Sequence, residues 1–265
     1  MKTLYTDCFS GISGDMFIGA LIDAGANPNH LVEELKKLNI SDEYKLKWTS
    51  VVKNGISSTK FDVVLLNEEH QHHHSHDDHT HAHEEHHHYR GHHHHRSYAD
   101  IKQLIEAADL SEEVKKIALG IFRKIGEAEG HIHGVALEDV HFHEVGAVDS
   151  IIDIVGTAIL LDQLKIDKIQ SSAVPVGSGK IRIDHGIYPV PAPATLEILR
   201  GVPIASSEVE AELTTPTGAA FIAALAQEFS TLPAMQVQSI GYGAGTKTFP
   251  NQPNVLRVII GNEYR

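Results

Sequence analysis

The amino-acid sequence predicts a mixed α/β fold that is interrupted by a disordered, histidine-rich insertion. Two stretches in which strand-like and helical patterns alternate flank a segment of low complexity. With 42% hydrophobic and 22% charged residues, the chain of 265 residues has the composition of a globular protein with a sizeable core. We expect an N-terminal α/β unit at residues 1–66, a loop at 67–97, and an α/β unit at 98–265 that forms one compact domain with the first.

The N-terminal unit alternates strands and helices. Gly25 is placed to cap the first helix, Pro28 stands in the first turn of the second, and Asn54-Gly55 is a turn signal between two strands. Leucines recur on one face of the second helix, which is typical of an amphipathic helix. The predicted elements are a strand at 2–6, helices at 15–24 and 28–38, and strands at 44–52 and 60–66.

The C-terminal unit begins with helices and ends with strands. Ser111 followed by two acidic residues is typical of a helix N-terminus, and a run of prolines ending at Pro193 leads stiffly into another helix. The helix at 151–164 is nearly all apolar, so we expect it to be buried. The predicted elements are helices at 101–108, 112–125, 151–164, 194–199 and 218–229, and closing strands at 236–240 and 255–260.

Charge and cysteine content exclude several classes of protein. Lys and Arg number 22 against 35 Asp and Glu, a formal net charge of -13, which disfavours binding to nucleic acid or to an anionic membrane. The single cysteine, Cys8, excludes an intrachain disulfide and a cysteine-rich zinc module. Asp7 places an acid where a signal peptide needs an apolar run, and no apolar stretch is long enough to span a membrane. We therefore expect a cytoplasmic protein.

A histidine tract is the most unusual feature of the sequence. Of the 21 histidines, 15 lie between His70 and His95, interleaved with Asp and Glu. Imidazole is a good ligand for Ni²⁺, Cu²⁺ and Zn²⁺, and many three- or four-histidine subsets can share one ion. A purification tag is the alternative, but the tract is internal, irregular and mixed with acids. The metal ligands predicted here are His72, His73, His74, His86, His87, His88, His92, His93, His94 and His95.

A second group of histidines and acids precedes the apolar helix. His141, His143 and Glu144 are followed by Asp149 and Asp153, which share a face if the helix has begun by Asp149. Imidazole and carboxylate together can hold a divalent cation, so we predict His141, His143, Glu144 and Asp153 as metal ligands. We predict His143, Glu144 and Asp149 as catalytic residues. The alternative is a polar turn that caps a buried helix.

Nearby, His131-Ile132-His133 resembles an extended pair of ligands, in which both imidazoles would point to one face of a strand. We regard it as the weaker histidine motif.

Small residues at two predicted helix N-termini favour anion binding. Ser10, Gly11, Ser13 and Gly14 lie between a strand and a helix, where free backbone N–H groups can face a phosphate. This segment lacks the Lys-Ser/Thr pair of a Walker A loop, and a structural turn or a cation held by its acids remain alternatives. A second segment offers hydroxyl groups, and glycine-rich loops at 176–180 and 241–247 add weaker support. The second segment contributes Thr214, Thr215 and Thr217 as cofactor-binding residues.

Five motifs follow one another along the chain: DCFSGISGDM at 7–16, HFHEVGAVDS at 141–150, PVPAPAT at 189–195, LTTPTGA at 213–219 and GYGAGT at 241–246. In this order they resemble the nickel-insertion protein family of nickel-pincer cofactor synthesis, the LarC family. The resemblance covers almost the whole chain except the histidine tract, whose length varies in the family.

The resemblance implies insertion of Ni²⁺ into pyridinium-3,5-bisthiocarboxylic acid mononucleotide. Two Ni–S bonds and one Ni–C bond then complete the cofactor of lactate racemase, in a reaction that is CTP-dependent in the family. It further implies a divalent cation, Mn²⁺ or Mg²⁺, and lactate racemase apoprotein as recipient. Family members usually continue past the segment matching residues 254–258 into a C-terminal domain associated with CTP binding. We therefore expect this chain to act as the nickel-delivering N-terminal part, with that domain or a companion chain as partner.

Two other functions fit parts of the sequence. A non-enzymatic nickel store or metallochaperone would need only the histidine tract. A phosphate-ester enzyme dependent on Mg²⁺ or Mn²⁺ would use the loops and acids and leave the tract incidental.

Overall fold

The computed structural model describes residues 1–66, 96–142, 147–183 and 186–264. Within these ranges the α-helices are α1 (Gly14–Asp23), α2 (Pro28–Leu35), α3 (Tyr98–Ala107), α4 (Glu112–His133), α5 (Val148–Leu164), α6 (Pro193–Ile198) and α7 (Pro216–Leu225). The strands are β1 (Lys2–Asp7), β2 (Tyr44–Lys53), β3 (Ile56–Leu65), β4 (Lys168–Ser171), β5 (Val174–Pro175), β6 (Lys180–Ile183), β7 (Gly186–Pro189), β8 (Ile204–Ala205), β9 (Glu228–Phe229), β10 (Met235–Ala244) and β11 (Val255–Glu263).

A mixed seven-stranded sheet in the order β2-β3-β10-β11-β1-β4-β9 organises the described chain. Strand β1 pairs in parallel with β4 and antiparallel with β11, while β3 pairs in parallel with β10. The sheet therefore takes strands from both of the ranges 1–66 and 98–265. The predicted mixed α/β class is confirmed. Two further pairs, β5-β8 and β6-β7, form small separate sheets.

Glycines let helix α1 approach the sheet closely. A Cβ built on Gly243 would overlap the carbonyl oxygen of Met16, and one on Gly241 would overlap that of Ala20. Both glycines lie in β10, so the predicted loop at 241–247 is wrong up to Ala244. The backbone continues as a strand there because the glycines serve helix–sheet contact rather than a turn.

Helix α5 runs through the core behind α1. It packs against α1, α2, α4 and α7, and twelve of its residues are buried, as its apolar composition predicted. Ring contacts, such as Phe17 with Phe221 at 5.4 Å between centroids, continue the core between helices. The first turn of α1 and the N-terminal half of α5 are thereby held side by side.

Several boundaries differ from the prediction. The helix predicted at 218–229 ends at Leu225, and Glu228–Phe229 is a short strand beside β4. Ser97, placed in the low-complexity loop, instead forms a capping box with Asp100 at the start of α3. No helix among the described residues is long and apolar enough to cross a membrane.

Candidate functional site

Two of the predicted anion-binding segments lie side by side. The loop between β1 and α1 pairs with the segment before α7: the amide of Ile12 donates to the carbonyl of Leu213 at 3.1 Å, and the amide of Thr215 donates to the carbonyl of Ile12 at 3.1 Å. Gly11 has a positive φ of 85°, and a Cβ there would overlap the backbone of Leu213. The sequence motifs therefore meet in space although about 200 residues separate them.

The threonines of the second segment are already engaged within the protein. The Thr214 hydroxyl donates to the carbonyl of Pro175 at 2.8 Å, while the Thr215 hydroxyl caps α7 by accepting from the amide of Gly218 at 3.2 Å. Thr217 is buried. Their cofactor-binding role stays a prediction, and it would require these hydroxyl groups to exchange or share partners.

The serines of the first loop have internal partners as well. The buried Ser10 hydroxyl donates to the carbonyl of Pro253 at 2.7 Å and accepts from the side chain of Gln252 at 3.0 Å. Ser13 is the N-cap residue of α1, but its hydroxyl donates to Asp15 and does not accept from a helix amide. These contacts fix the loop and leave the first turn of α1 to face α5.

Asp153 projects from α5 onto that first turn. A Cβ built on Gly14 would collide with the carboxyl group of Asp153, so only a glycine admits the acid here. Although the residue keeps partial exposure as a whole, its Oδ1 is shielded from solvent and has no hydrogen-bond partner among the described residues. Burial raises the pKa of the Asp153 carboxyl well above its usual range. Asp15 and Asp149 raise this pKa further, whereas Lys60 lowers it.

Lys60 is a member of the site that the sequence reasoning missed. Its ammonium group lies 2.6 Å from Asp15 Oδ2 and 2.8 Å from Asp62 Oδ1, with 13% of the side chain exposed. Burial lowers the pKa of Lys60, but the carboxylates of Asp15 and Asp62 outweigh burial and the net pKa is raised. A charged pair at positions two apart on one face of β3, Lys60 and Asp62, was the available signal.

The other predicted ligands are distributed unevenly. Helix α5 begins at Val148, so Asp149 and Asp153 lie one turn apart as expected, and Asp149 Oδ1 accepts from the amide of Ser150 at 2.9 Å. His141 is exposed beside Ser97 at the start of α3. The predicted residues His143 and Glu144 lie outside the described residues, as do His72, His73, His74, His86, His87, His88, His92, His93, His94 and His95.

The described ranges contain no group of three or more histidine, cysteine, aspartate or glutamate side chains that could hold a metal ion. The extended His131–His133 pair is also wrong, because both residues lie in the last turn of α4, where positions two apart diverge. His133 instead lies 3.2 Å from Glu129, one helical turn earlier. The site's definite elements are therefore the acids and the lysine at the first turn of α1.

Similarity to known proteins decides the family. Residues 4–265 match the family described as nickel insertion protein. The chain belongs to this family.

Three relatives are named pyridinium-3,5-bisthiocarboxylic acid mononucleotide nickel insertion protein. The one from Geobacillus kaustophilus is 55% identical over 270 aligned positions, covering 100% of this chain and 61% of the relative. The relative from Clostridium kluyveri is 50% identical (100% and 63% covered), and that from Staphylococcus epidermidis is 48% identical (97% and 59% covered). The chain thus spans about three fifths of the length of these curated relatives. No solved structure matches the chain.

Proposed function

We propose that this member of the nickel insertion family delivers Ni²⁺ and takes part in its insertion into pyridinium-3,5-bisthiocarboxylic acid mononucleotide. The observation that carries the proposal is the family match over residues 4–265, together with relatives that bear the name of this reaction along the whole chain. The enclosed carboxyl of Asp153 and the acidic neighbours Asp15 and Asp149 concentrate negative charge in the described part of the chain.

The reaction exchanges a proton for nickel. Two thiocarboxylate sulfurs bind Ni²⁺, and the pyridinium carbon loses its proton as the Ni–C bond forms, without change of oxidation state. A base must therefore accept one proton. We assign this role to one of His143, Glu144 and Asp149, and we class the activity as that of a chelatase-type lyase in the cytoplasm.

Two sets of histidines divide the nickel handling. The tract, through residues such as His86 and His95, collects Ni²⁺ and passes it to an ordered site. That site comprises His141, His143 and Glu144 on the segment before α5, together with Asp153 on α5 itself. A site held by a fold can select one ion, whereas a tract of many imidazoles follows their general affinity and accepts copper or zinc.

CTP, a divalent cation and the remaining family domain complete the proposal as partners. The Thr214 and Thr215 hydroxyls, which are candidates for binding a phosphate, are hydrogen-bonded within the protein. The companion part, the nickel-free precursor and lactate racemase apoprotein are the partners to supply in an assay.

The test is activation of lactate racemase in a reconstituted mixture in which nickel is titrated. We expect His143→Ala to abolish maturation while most nickel binding persists. Deletion of residues 70–95 should do the reverse, with maturation retained when nickel is plentiful. His30→Ala, an exposed histidine on α2, is the matched control and should change neither property. Normal maturation by soluble, folded His143→Ala protein would remove His143 from the site.

Nickel storage is the second candidate, because 15 histidines exceed what one site needs. Calorimetry at neutral pH should give more than one Ni²⁺ per chain, released as the pH falls through roughly 6.5, where free imidazole is protonated. One equivalent or fewer would exclude storage. Loss of all function on deletion of residues 70–95, at any nickel concentration, would favour a store over an insertion protein.

A further inference from the structure

We propose that Lys60 is a resident counter-cation in a divalent-cation site formed with Asp15 and Asp153 at the first turn of α1, and that the arriving cation displaces its ammonium group. The site takes a hard cation of the Mg²⁺ or Mn²⁺ class. Asp153 is also a ligand of the nickel site proposed above, but this proposal and its tests rest on these three side chains and do not require that the chain takes part in nickel insertion.

The hydrogen bonds of Lys60 leave Asp153 without a donor. An ammonium group has three N–H donors. Those of Lys60 go to Asp15 at 2.6 Å, to Asp62 at 2.8 Å and to the carbonyl oxygen of Phe61 at 3.0 Å. The shielded Oδ1 of Asp153 has no hydrogen-bond partner among the described residues, so one carboxyl oxygen of the cluster has no donor.

The cluster also has more negative than positive charge. Asp15 and Asp149 act on the Asp153 carboxyl, and Lys60 is the cation that acts on it among the described residues. Asp62 adds a further carboxylate beside Lys60. Exchange of one ammonium group for a divalent cation adds a unit of positive charge. It also replaces three directed N–H bonds by six or more coordination positions, which is enough to include the Asp153 carboxyl.

The donor atoms around the ammonium group suit a hard cation. The groups around it are carboxylate oxygens and a backbone carbonyl, the ligand types of Mg²⁺ and Mn²⁺. In the arrangement described, the acids do not yet form a group that could hold a metal. The proposal therefore requires the acids to converge on the cation once the ammonium group has moved. The displaced ammonium group of Lys60 can stay paired with Asp62, which has 42% of its side chain exposed to solvent.

The first test measures Mn²⁺ binding to the full chain. Electron paramagnetic resonance detects binding as a loss of the free-ion signal. Mn²⁺ is the probe because the histidine tract competes weakly for it and equally in every variant. We expect Lys60→Met to bind one Mn²⁺ about tenfold more tightly than the wild type, and Lys60→Arg to match the wild type. Adding Asp153→Asn to Lys60→Met should abolish the gain.

If Lys60→Met does not fold, Lys60→Gln carries the same test, because its amide can still donate to Asp15. Equal affinity of wild type and neutral variant would overturn the proposal. A gain that survives Asp153→Asn would overturn it too, since the ion would then bind elsewhere.

The second test needs only the wild-type chain. An amine-reactive reagent, with peptide mass spectrometry, measures how fast each lysine is labelled. Lys60 should react slowly without metal, since 13% of its side chain is exposed, and several-fold faster at saturating Mn²⁺. Lys116, with 78% of its side chain exposed, is the internal control and should react equally fast in both states. An unchanged labelling rate at Lys60 would show that its ammonium group is not displaced.

Discussion

Two lysines of the large sheet lie between carboxylates, and their surroundings differ in one respect. Lys168 on β4 contacts Glu228 at 2.8 Å and Glu263 at 3.3 Å, and Thr3 donates to Glu263 at 2.8 Å. Lys60 on β3 contacts Asp15 and Asp62 at similar distances. Around Lys168 each acid has donors and partial access to water, whereas around Lys60 a further carboxyl, that of Asp153, is enclosed without a donor.

The difference separates an acid whose ionisation stabilises the fold, Glu263, from one whose ionisation costs stability, Asp153. In the first, the hydrogen bond from Thr3 and the charge of Lys168 lower the pKa of Glu263, so folding favours the ionised acid. In the second, burial raises the pKa of Asp153, so folding disfavours the ionised acid. Strongly shifted pKa values of this kind are typical of functional sites.

Among the substitutions that test this difference, we expect Gly14→Ala to change the unfolding free energy most. The added methyl group would collide with the Asp153 carboxyl, so the unfolding free energy should fall by about 1–3 kcal/mol. Gly120→Ala is the matched control: this glycine is exposed on α4 with nothing near its Cβ, and alanine should stabilise the helix by up to about 1 kcal/mol. Urea denaturation measures both. Equal effects would mean that α5 does not press on α1.

Asp153→Asn should have an intermediate effect of the opposite sign. Because the folded-state pKa is raised, the folded protein holds a proton that the unfolded chain releases above about pH 3.9, and wild-type stability falls as the pH rises through that window. The amide carries no such cost, so the variant's advantage should be absent at the acid end and grow toward neutral pH. Denaturation at several pH values tests this, with exposed Asp109→Asn as control. A pH-independent difference would contradict the raised pKa.

The smallest effect is expected for Glu263→Gln, with the opposite dependence on pH. The lowered pKa of Glu263 gives stability that is present above about pH 4.3, the ordinary glutamate value, and lost as the pH falls through the folded-state pKa. The variant should be slightly less stable than the wild type at neutral pH and equal to it in acid. Glu113→Gln, at an exposed pair with Lys116, should show no change. A large loss of stability at neutral pH would contradict the small contribution that we expect from these partly exposed contacts.

Local signals accounted for much of the fold. The leucine periodicity and Pro28 placed α2, Asn54-Gly55 placed the hairpin between β2 and β3, and Ser111 placed the start of α4. The ends of helices and strands are less predictable than their presence, because tertiary contacts decide many of them. The glycines of β10 resemble a loop in sequence, and only the approach of α1 explains why a strand needs them.

The site was predictable only in part for the same reason. Asp153 and the loop before α1 were recognisable by residue type, but their contact depends on how α5 crosses α1. Lys60 has no motif of its own, and its role follows from the position of β3 beside α1. Hydroxyl groups that resemble a phosphate site, such as that of Thr214, proved to have backbone partners, which a sequence does not reveal.

The central position of β1 has a consequence for synthesis of the protein. Its neighbours are β4 and β11, and the contact between Thr3 and Glu263 joins residues 260 positions apart. As the chain leaves the ribosome, β1 has no sheet partner until β4 emerges, and its second edge waits for β11. Helix α1 packs on β10, so that part of its apolar face stays uncovered until β10 has been synthesised. The nascent chain therefore depends on late-arriving segments to cover its earliest strand.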